Sequence, residues 1–269
     1  MGIIDRLREA KWRKLAGLHP IPDDLWAWAV GEHRIFKGMG AADEIRLREL
    51  ASQFLAIKRF NPLGGAEVDD RLMVSIASQA CLPLLGLDMS WYRDFSTIFL
   101  MPEAYTVTQK WEDESGVVHE YEEELAGEAF DLGPVALSIP DVDASGWGDG
   151  YNTVIHEMAH KLDGLDGVYD GRPPLHKGMD SRLWQSAFKE AWEDLNARLN
   201  APSGGRHANR GRSKKRSRID PYAAESPDEF FAVACEYFWE KPAVLIREYP
   251  AVFEQLTLFF RRDPSTWEN

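Results

Sequence analysis

The chain has 269 residues and a formal net charge of -13, with 31 Lys and Arg residues against 44 Asp and Glu residues. Hydrophobic residues make up 44% of it and charged residues 28%, which is typical of a globular protein and excludes a wholly disordered one. The acidic balance argues against unspecific binding to nucleic acid or to an anionic membrane. The N-terminal segment lacks the apolar stretch of a signal peptide, so we expect a cytoplasmic protein.

The first third of the chain predicts helices. A helical period of apolar residues runs through Ala41–Phe60 and Ala66–Leu85, and the segment LWAWAVGEH follows Asp24. We therefore expect residues 1–90 to form a mainly helical N-terminal part.

The pattern changes to strands in the middle of the chain. Ser96–Met101 and Val135–Ile139 are rich in β-branched and apolar residues, while Tyr105–Trp111 and Val117–Glu123 flank a polar turn, as in a hairpin. Helical periodicity then returns in Thr153–Asp163, Ser181–Leu199, Ser226–Trp239 and Ala251–Arg261. Helices, a small mixed sheet and further helices predict an α+β fold in a single domain over residues 1–269.

One segment is basic in this acidic chain. Ser203–Arg218 holds seven Arg and Lys residues, no acidic residue and no apolar period, so we expect a solvated, mobile loop at residues 203–218. A docking loop for an acidic partner is the alternative.

The strongest functional signal is IHEMAHKLD at Ile155–Asp163. His156 and His160 are four residues apart on a predicted helix, so both imidazoles project from one face and can bind the same zinc ion. Glu157 is placed to reach a water molecule on that metal rather than to bind it. The alternative is an amphipathic helix with two solvated histidines, which the apolar neighbours disfavour because they would draw the helix into the core.

A catalytic zinc ion needs a third protein ligand and one open position. His176, beside a Pro-Pro turn, and His207, in the basic segment, are the downstream histidines, and neither is predicted to be rigidly held. The apolar helix Ser226–Trp239 is the better source, because Glu229 and Glu236 lie seven residues apart on one of its faces. The spacing leaves open which carboxylate binds the metal and which braces a ligand histidine from behind.

These segments together resemble the Mlc titration factor A (MtfA) family, glucose-regulated zinc peptidases of the gluzincin group. The resemblance rests on HEMAHKLD and on DPYAAESPDEFFAVACEYFWEKP at Asp220–Pro242. It extends over most of the chain through KRFNPLGG at Lys58–Gly65, SQACLPLLGLDMSWY at Ser78–Tyr92 and GPVALS at Gly133–Ser138. The basic segment 203–218 resembles an insertion.

The resemblance implies a zincin-like metallopeptidase domain in which residues 91–269 form the catalytic core. It implies one Zn²⁺ per chain, bound by His156, His160 and Glu229, with Glu157 as the general base. By the same resemblance, Tyr222 faces the metal and donates a hydrogen bond to the oxyanion, with a tyrosine that only packs before the helix as the alternative.

Two further roles stay open. Asp163, seven residues after the first histidine of the motif, is expected either to orient a ligand histidine or to cap its helix. The strand Gly133–Ile139 lies just ahead of the metal-binding helix and is our candidate for the sheet edge that pairs with an extended peptide, with an interior strand as the alternative.

The implied function is zinc-dependent hydrolysis of peptide bonds, aminopeptidase-like, on short peptides or N-terminal residues. The MtfA family is also associated with sequestering the glucose repressor Mlc, so the alternative is a non-catalytic, zinc-containing protein that binds a Mlc-like repressor. Glu157 favours catalysis, because a purely structural zinc site has no use for a general base beside two ligands. The expected partners are a peptide substrate and, through the resemblance, a Mlc-like repressor, without direct binding of nucleic acid or membrane.

Overall fold

A computed structural model of the chain describes residues 3–18, 20–103, 105–112, 118–125, 127–129, 133–201 and 217–267. Side chains are described within residues 10–17, 20–103, 133–201 and 217–267. The basic segment 203–218, predicted to be a mobile loop, therefore lies almost entirely outside the described residues, as does His207.

The N-terminal part is mainly helical. Its helices are α1 (Ile3–Leu18), α2 (Asp23–Glu32), α3 (Ala41–Ile57) and α4 (Asp70–Cys81). The helix predicted to reach Phe60 ends earlier, because the chain turns extended at Lys58 and continues as a strand. The Nζ atom of Lys58 donates to the carbonyl oxygens of Tyr92 and Phe95, which fixes this exit from the helix. Long-range pairing thus overrides the local helical period.

Two sheets follow. The strands are β1 (Arg59–Pro62), β2 (Thr97–Met101), β3 (Tyr105–Glu112), β4 (Val118–Leu125), β5 (Gly127–Ala129) and β6 (Val135–Ser138). The main sheet has the order β1-β2-β6-β5, in which β1, β2 and β6 are parallel and β5 is antiparallel to β6. The antiparallel pair β3 and β4 forms the predicted hairpin, from Tyr105 opposite Leu125 to Glu112 opposite Val118.

The strand that we expected at the edge of the sheet lies inside it. β6 pairs with β2 on one side and with β5 on the other, so the expectation that Gly133–Ile139 forms a free edge is wrong. The four residues of β6 are all buried, which is the continuous burial of an interior strand. Of the described strands of the main sheet, β1 and β5 lie at its two ends.

The helices after the sheet carry the candidate site. They are α5 (Ile139–Ala144), α6 (Thr153–Asp163), α7 (Ser181–Leu199), α8 (Pro227–Glu240), α9 (Pro242–Glu248) and α10 (Pro250–Phe260). α6 packs against α8, and both contribute to a core cluster that includes Phe54 of α3, Ile98 of β2, Leu162 of α6 and Phe231 of α8. A small mixed sheet between mainly helical parts confirms the predicted α+β fold class.

No helix among the described residues combines the length and apolar character that a membrane crossing requires.

Candidate metal centre

Helix α6 holds both histidines of the motif on one face. Asn152 caps the helix, with its Oδ1 atom accepting a hydrogen bond of 2.9 Å from the backbone N–H of Ile155. The apolar residues around the motif bury the helix, as predicted, so His160 is only 8% exposed. The imidazole rings of His156 and His160 lie one turn apart, with their centroids separated by 4.9 Å.

Helix α8 brings a carboxylate to these histidines. Ser226 caps its N-terminus by accepting from the backbone N–H of Glu229 at 3.3 Å, and Pro227 occupies the first turn, where no helical N–H is needed. Glu229 therefore stands in the first turn of a buried helix. Its Oε2 atom lies 3.1 Å from Nε2 of His156 and 3.6 Å from Nε2 of His160.

The three atoms are spaced as ligands of one metal ion. The Nε2 atoms of His156 and His160 are 3.2 Å apart, which completes a triangle with Oε2 of Glu229. Ligands at about 2.0 Å from a tetrahedral ion lie about 3.3 Å from one another. Among the described residues, this His-His-Glu group is the one cluster of His, Cys, Asp or Glu side chains that could hold a metal ion.

The charges in the cluster also fit a cation. Burial opposes the charged form of Glu229, yet the two histidines beside it hold the pKa of this carboxyl far below its usual range. Burial likewise opposes a charge on His156, but hydrogen bonds to Glu229 and Glu236 raise its pKa. Both directions follow from the pairing of these carboxylates with positive charge on the imidazoles, a place that a metal cation can take.

Glu236 braces His156 from the side opposite the cluster. Its Oε1 atom lies 2.9 Å from Nδ1 of His156, and its Oε2 atom accepts from the backbone N–H of Asn152. A carboxylate can only accept, so Nδ1 donates to Glu236, and Nε2 is the ring nitrogen that faces the cluster, where a metal ion would take the place of its proton. The spacing left open which carboxylate lies with the histidines. In the structure Glu229 lies in the cluster, and Glu236 lies behind His156.

Glu157 is buried beside the cluster and keeps an unpartnered oxygen. The side chain is 2% exposed, and its Oε2 atom has no hydrogen-bond partner among the described residues. Burial raises the pKa of Glu157, although the charges of His156 and His160 oppose the shift. A buried carboxylate with a free oxygen is costly, which is a mark of a functional position rather than a structural one.

Tyr222 lies on a short turn that precedes α8. Asp220 caps this turn, Pro221–Ala224, by accepting from the backbone N–H of Tyr222 at 2.9 Å. The ring of Tyr222 is 6.0 Å from that of His156, centroid to centroid, and the side chain is 39% exposed. Partial burial and the charge of Glu229 raise the pKa of Tyr222, so the phenol stays protonated and can donate a hydrogen bond near neutral pH.

The other predicted residues lie outside the cluster. Asp163 accepts a hydrogen bond of 2.8 Å from the backbone N–H of Gly171, and so ties the end of α6 to the loop that follows it. A Cβ at Gly171, where φ is +76°, would lie 2.4 Å from the carbonyl oxygen of Pro227, so this loop also packs against the start of α8. His176 contacts the carbonyl oxygen of Phe259 at 2.8 Å and stacks on its ring.

Two residues of this region were not identified from the sequence. Asn152 precedes the motif helix, where an N-cap residue is expected, and Glu240 follows Glu236 by one turn at the end of an otherwise apolar helix. The side-chain Nδ2 of Asn152 donates to Oε1 of Glu240 at 2.8 Å. Burial raises the pKa of Glu240 to about 7, against the hydrogen bonds that it accepts.

Known proteins match this chain over most of its length. A family model described as glucose-regulated metallo-peptidase M90 matches residues 7–261. Proteins named Mlc titration factor A are similar to it: that of Enterobacter sp. (strain 638) is 30% identical over 244 residues, which cover 90% of this chain and 88% of the relative. Those of Salmonella arizonae and Yersinia pestis are 33% identical over 225 residues and 32% identical over 232 residues. They cover 84% of this chain in both cases, and 86% and 82% of the respective relatives.

These matches confirm the resemblance that the motifs indicated. A metallopeptidase needs a group of metal ligands to act on peptide substrates, and the His-His-Glu cluster could hold such a metal ion. The chain therefore belongs to the family of glucose-regulated M90 metallopeptidases.

Proposed function

We propose that this protein is a zinc-dependent peptidase of a single domain over residues 1–269, with His156, His160 and Glu229 as the ligands of one Zn²⁺ per chain. The observation that carries the proposal is the triangle of three ligand atoms with edges of 3.1, 3.2 and 3.6 Å, next to the unpartnered carboxylate oxygen of Glu157. Two imidazoles and one carboxylate are also a common donor set of catalytic zinc, which keeps a fourth position open.

Bound zinc supplies Lewis-acid chemistry, which makes water nucleophilic near neutral pH and polarises a carbonyl group. Glu157 acts as the general base: its free carboxylate oxygen accepts a proton from the attacking water as the water oxygen bonds to the scissile carbonyl carbon. Glu157 then gives this proton to the amide nitrogen as the C–N bond breaks, so that a carboxylic acid and an amine leave.

Tyr222 stabilises the negative charge that develops on the carbonyl oxygen. The protonated phenol stands beside the His156 ring and is open to solvent on one side, where a substrate can approach. Its O–H donates a hydrogen bond that strengthens as the oxyanion forms, which lowers the barrier rather than tightening substrate binding.

We propose further that the substrate main chain pairs with β5 and that cleavage occurs at peptide N-termini. Among the described strands, β5 lies at the end of the main sheet, and it packs against the metal-binding helix α6, so its outer edge can extend the sheet with a peptide strand. Besides burial, the charges of Glu229 and Glu225 raise the pKa of Tyr222, which places negative charge near this side chain. A negative field next to the scissile bond attracts the N-terminal ammonium group of a short peptide.

Binding of a transcriptional repressor is the second candidate function. The relatives carry the name Mlc titration factor A, which favours a Mlc-like repressor as a partner of this chain too. The two functions are compatible, because repressor binding needs a surface and peptide hydrolysis needs the metal centre.

The test combines zinc stoichiometry with hydrolysis of aminoacyl reporters and internally quenched peptides, for the wild type and Glu157→Gln. About one zinc per chain in both proteins, with turnover of aminoacyl reporters in the wild type alone, is the expected result. Cleavage of the internal peptides instead would replace the aminopeptidase by an endopeptidase. One zinc without turnover in either protein would favour the binding function, and a wild type without zinc would overturn the metal site.

A further inference from the structure

A buried group of polar side chains stands behind the metal centre. It consists of Gln79 on α4, Asn152 at the N-cap of α6, and Glu236 and Glu240 on α8; we call it the Asn152 network. All four side chains are buried, with exposed fractions between 0% and 6%. Polar groups at this depth are kept only where each has a partner, so the arrangement fixes the relative positions of three helices.

Asn152 is the centre of this network because each of its polar groups is paired. Its backbone N–H donates to Glu236, and its backbone carbonyl accepts from the N–H of His156 at 2.9 Å. In the side chain, Oδ1 caps the helix, while Nδ2 donates to Oε1 of Gln79 at 2.7 Å and to Oε1 of Glu240 at 2.8 Å. One residue therefore starts the ligand helix and also holds the carboxylate that braces His156.

Glu240 anchors Asn152 from the far side. Besides Nδ2 of Asn152, its carboxylate accepts from the backbone N–H groups of Gly146 and Gly148. Both glycines have positive φ, and a Cβ at Gly146 would lie 2.7 Å from the ring of His33. The loop before α6 is thus wrapped around one carboxylate, an arrangement in which backbone N–H groups converge on an anion.

The network continues from Gln79 through Ser75 to His33, and each hydrogen bond in this chain has a defined donor and acceptor. His33 Nδ1 lies 2.9 Å from the carbonyl oxygen of Ala29, which can only accept, so in the neutral form of the ring Nδ1 carries the proton and Nε2 accepts. Ser75 Oγ, at 3.2 Å, then donates to this Nε2 and accepts from Nε2 of Gln79. The Gln79 oxygen is consequently directed at Asn152, so the orientation of each amide is determined by its neighbours.

We propose that Asn152 and Glu240 are positioning residues of the metal centre, which act by holding the first turn of α6 and the bracing carboxylate Glu236 in register with Glu229. The inference rests on the proposed zinc site. Its physical reason is that the ligands come from two helices, so the ligand triangle is only as well defined as the contact between α6 and α8. Partners of this kind, one bond removed from the ligands, commonly change metal affinity by about 10–100-fold.

The test exchanges the hydrogen-bond donor and acceptor between residues 152 and 240. Asn152→Asp keeps an oxygen to cap α6 but sets its second oxygen against the carboxylate of Glu240 and against the side-chain oxygen of Gln79. Glu240→Gln keeps the size of the side chain and loses acceptor capacity toward the two glycines. The double variant Asn152→Asp/Glu240→Gln restores a donor and an acceptor between the two positions, with the direction of the bond reversed. Leu50→Ala, fully buried in α3, is the control for a general loss of stability.

The measurements are the zinc dissociation constant, from competition with a chromophoric chelator, and the visible absorption spectrum of the cobalt-substituted proteins. We expect zinc affinity to fall about 10–100-fold in Asn152→Asp and less in Glu240→Gln, with altered cobalt bands and partial recovery of both in the double variant. Leu50→Ala should lower the thermal midpoint and leave affinity and spectrum unchanged. If Asn152→Asp does not fold, Glu240→Gln and the double variant carry the same comparison.

Two results would count against the proposal and can be told apart. Wild-type affinity and wild-type cobalt spectra in the folded single variants would overturn the positioning role while leaving the zinc site intact. A wild type that binds neither zinc nor cobalt would instead overturn the proposed function, and this inference with it.

Discussion

The Nδ1 atom of His156 lies 2.9 Å from Oε1 of Glu236, on the side of the ring opposite the ligand cluster. A buried carboxylate in this position determines which ring nitrogen carries the proton and orients the imidazole. Glu229 and Glu236 lie on the same face of α8, so one helix supplies both a candidate ligand and the group that orients another.

Replacing Glu236, the carboxylate that orients His156, should weaken metal binding without abolishing it. In Glu236→Gln the side-chain oxygen can still accept from Nδ1 of His156, but the negative charge that favours donation is lost. We expect zinc affinity to fall by about 10–100-fold. Chelator competition measures the change, and Asp228→Asn, in the first turn of the same helix, is the control. Equal affinities in the two variants would contradict the bracing role.

Replacing the carboxylate in the cluster should have a larger effect. Glu229→Ala removes one of the three atoms of the ligand triangle, and the two remaining imidazoles make an incomplete site. Purified protein should contain far less than one zinc per chain, and zinc should no longer raise its thermal midpoint, since only binding to the folded state stabilises it. Metal analysis and thermal unfolding with added zinc check this. A full equivalent of tightly bound zinc in the variant would exclude Glu229 as a ligand.

Glu157→Gln should separate metal binding from catalysis. The variant keeps the ligand triangle and should keep about one zinc, but it cannot take a proton from water, so turnover should fall by about 10²–10⁴-fold. Without metal it should be at least as stable as the wild type, because a neutral amide replaces a carboxyl whose pKa burial raises. Zinc analysis, steady-state kinetics and thermal unfolding of the metal-free proteins measure the three quantities. Wild-type turnover in the variant would rule out the general base.

Tyr222→Phe should lower kcat and leave KM nearly unchanged. The phenol is a hydrogen-bond donor at neutral pH, and a donor to a developing oxyanion contributes mainly in the transition state. Loss of one such donor costs about 10²–10³-fold in kcat. Steady-state kinetics on the preferred reporter measures both constants, with zinc content as a control for an intact site. A rise in KM at constant kcat would assign Tyr222 to substrate binding instead.

A buried lysine at the end of α3 should make stability rise with pH. Burial lowers the pKa of Lys58 from 10.5 to about 7 in the folded protein. Between these two values the unfolded chain binds a proton that the folded chain does not, so the free energy of unfolding increases as the pH rises through that window. The free energy of unfolding increases by about 1.4 kcal/mol for each unit by which folding lowers the pKa.

Urea unfolding at several pH values between 7 and 10 measures this slope. Lys58→Met should flatten it, and Lys189→Met, at an exposed position on α7, should not. Parallel slopes in the wild type and Lys58→Met would show that Lys58 keeps its ordinary pKa in the folded protein.

Motif spacing and apolar periodicity were sufficient for the α+β class and for the helices that carry His156, His160 and Glu229. Helical geometry is local, so residues four apart meet on one face whatever surrounds them. The choice between Glu229 and Glu236 was beyond spacing alone, because both lie on the same face of one helix. It depends on how α8 is placed along α6.

Only the tertiary structure decided which contacts cross between elements. The interior position of β6 follows from the pairing of β5, and the strand at Arg59–Pro62 replaces the predicted helical end because β2 offers it a parallel partner. The roles of Asn152 and Glu240 depend on hydrogen bonds between residues 88 positions apart. The sequence by itself determined which residues could bind a metal, since that depends on chemistry and local spacing. Which of them meet, and what holds them there, was decided by packing between distant segments, because no local pattern encodes a long-range contact.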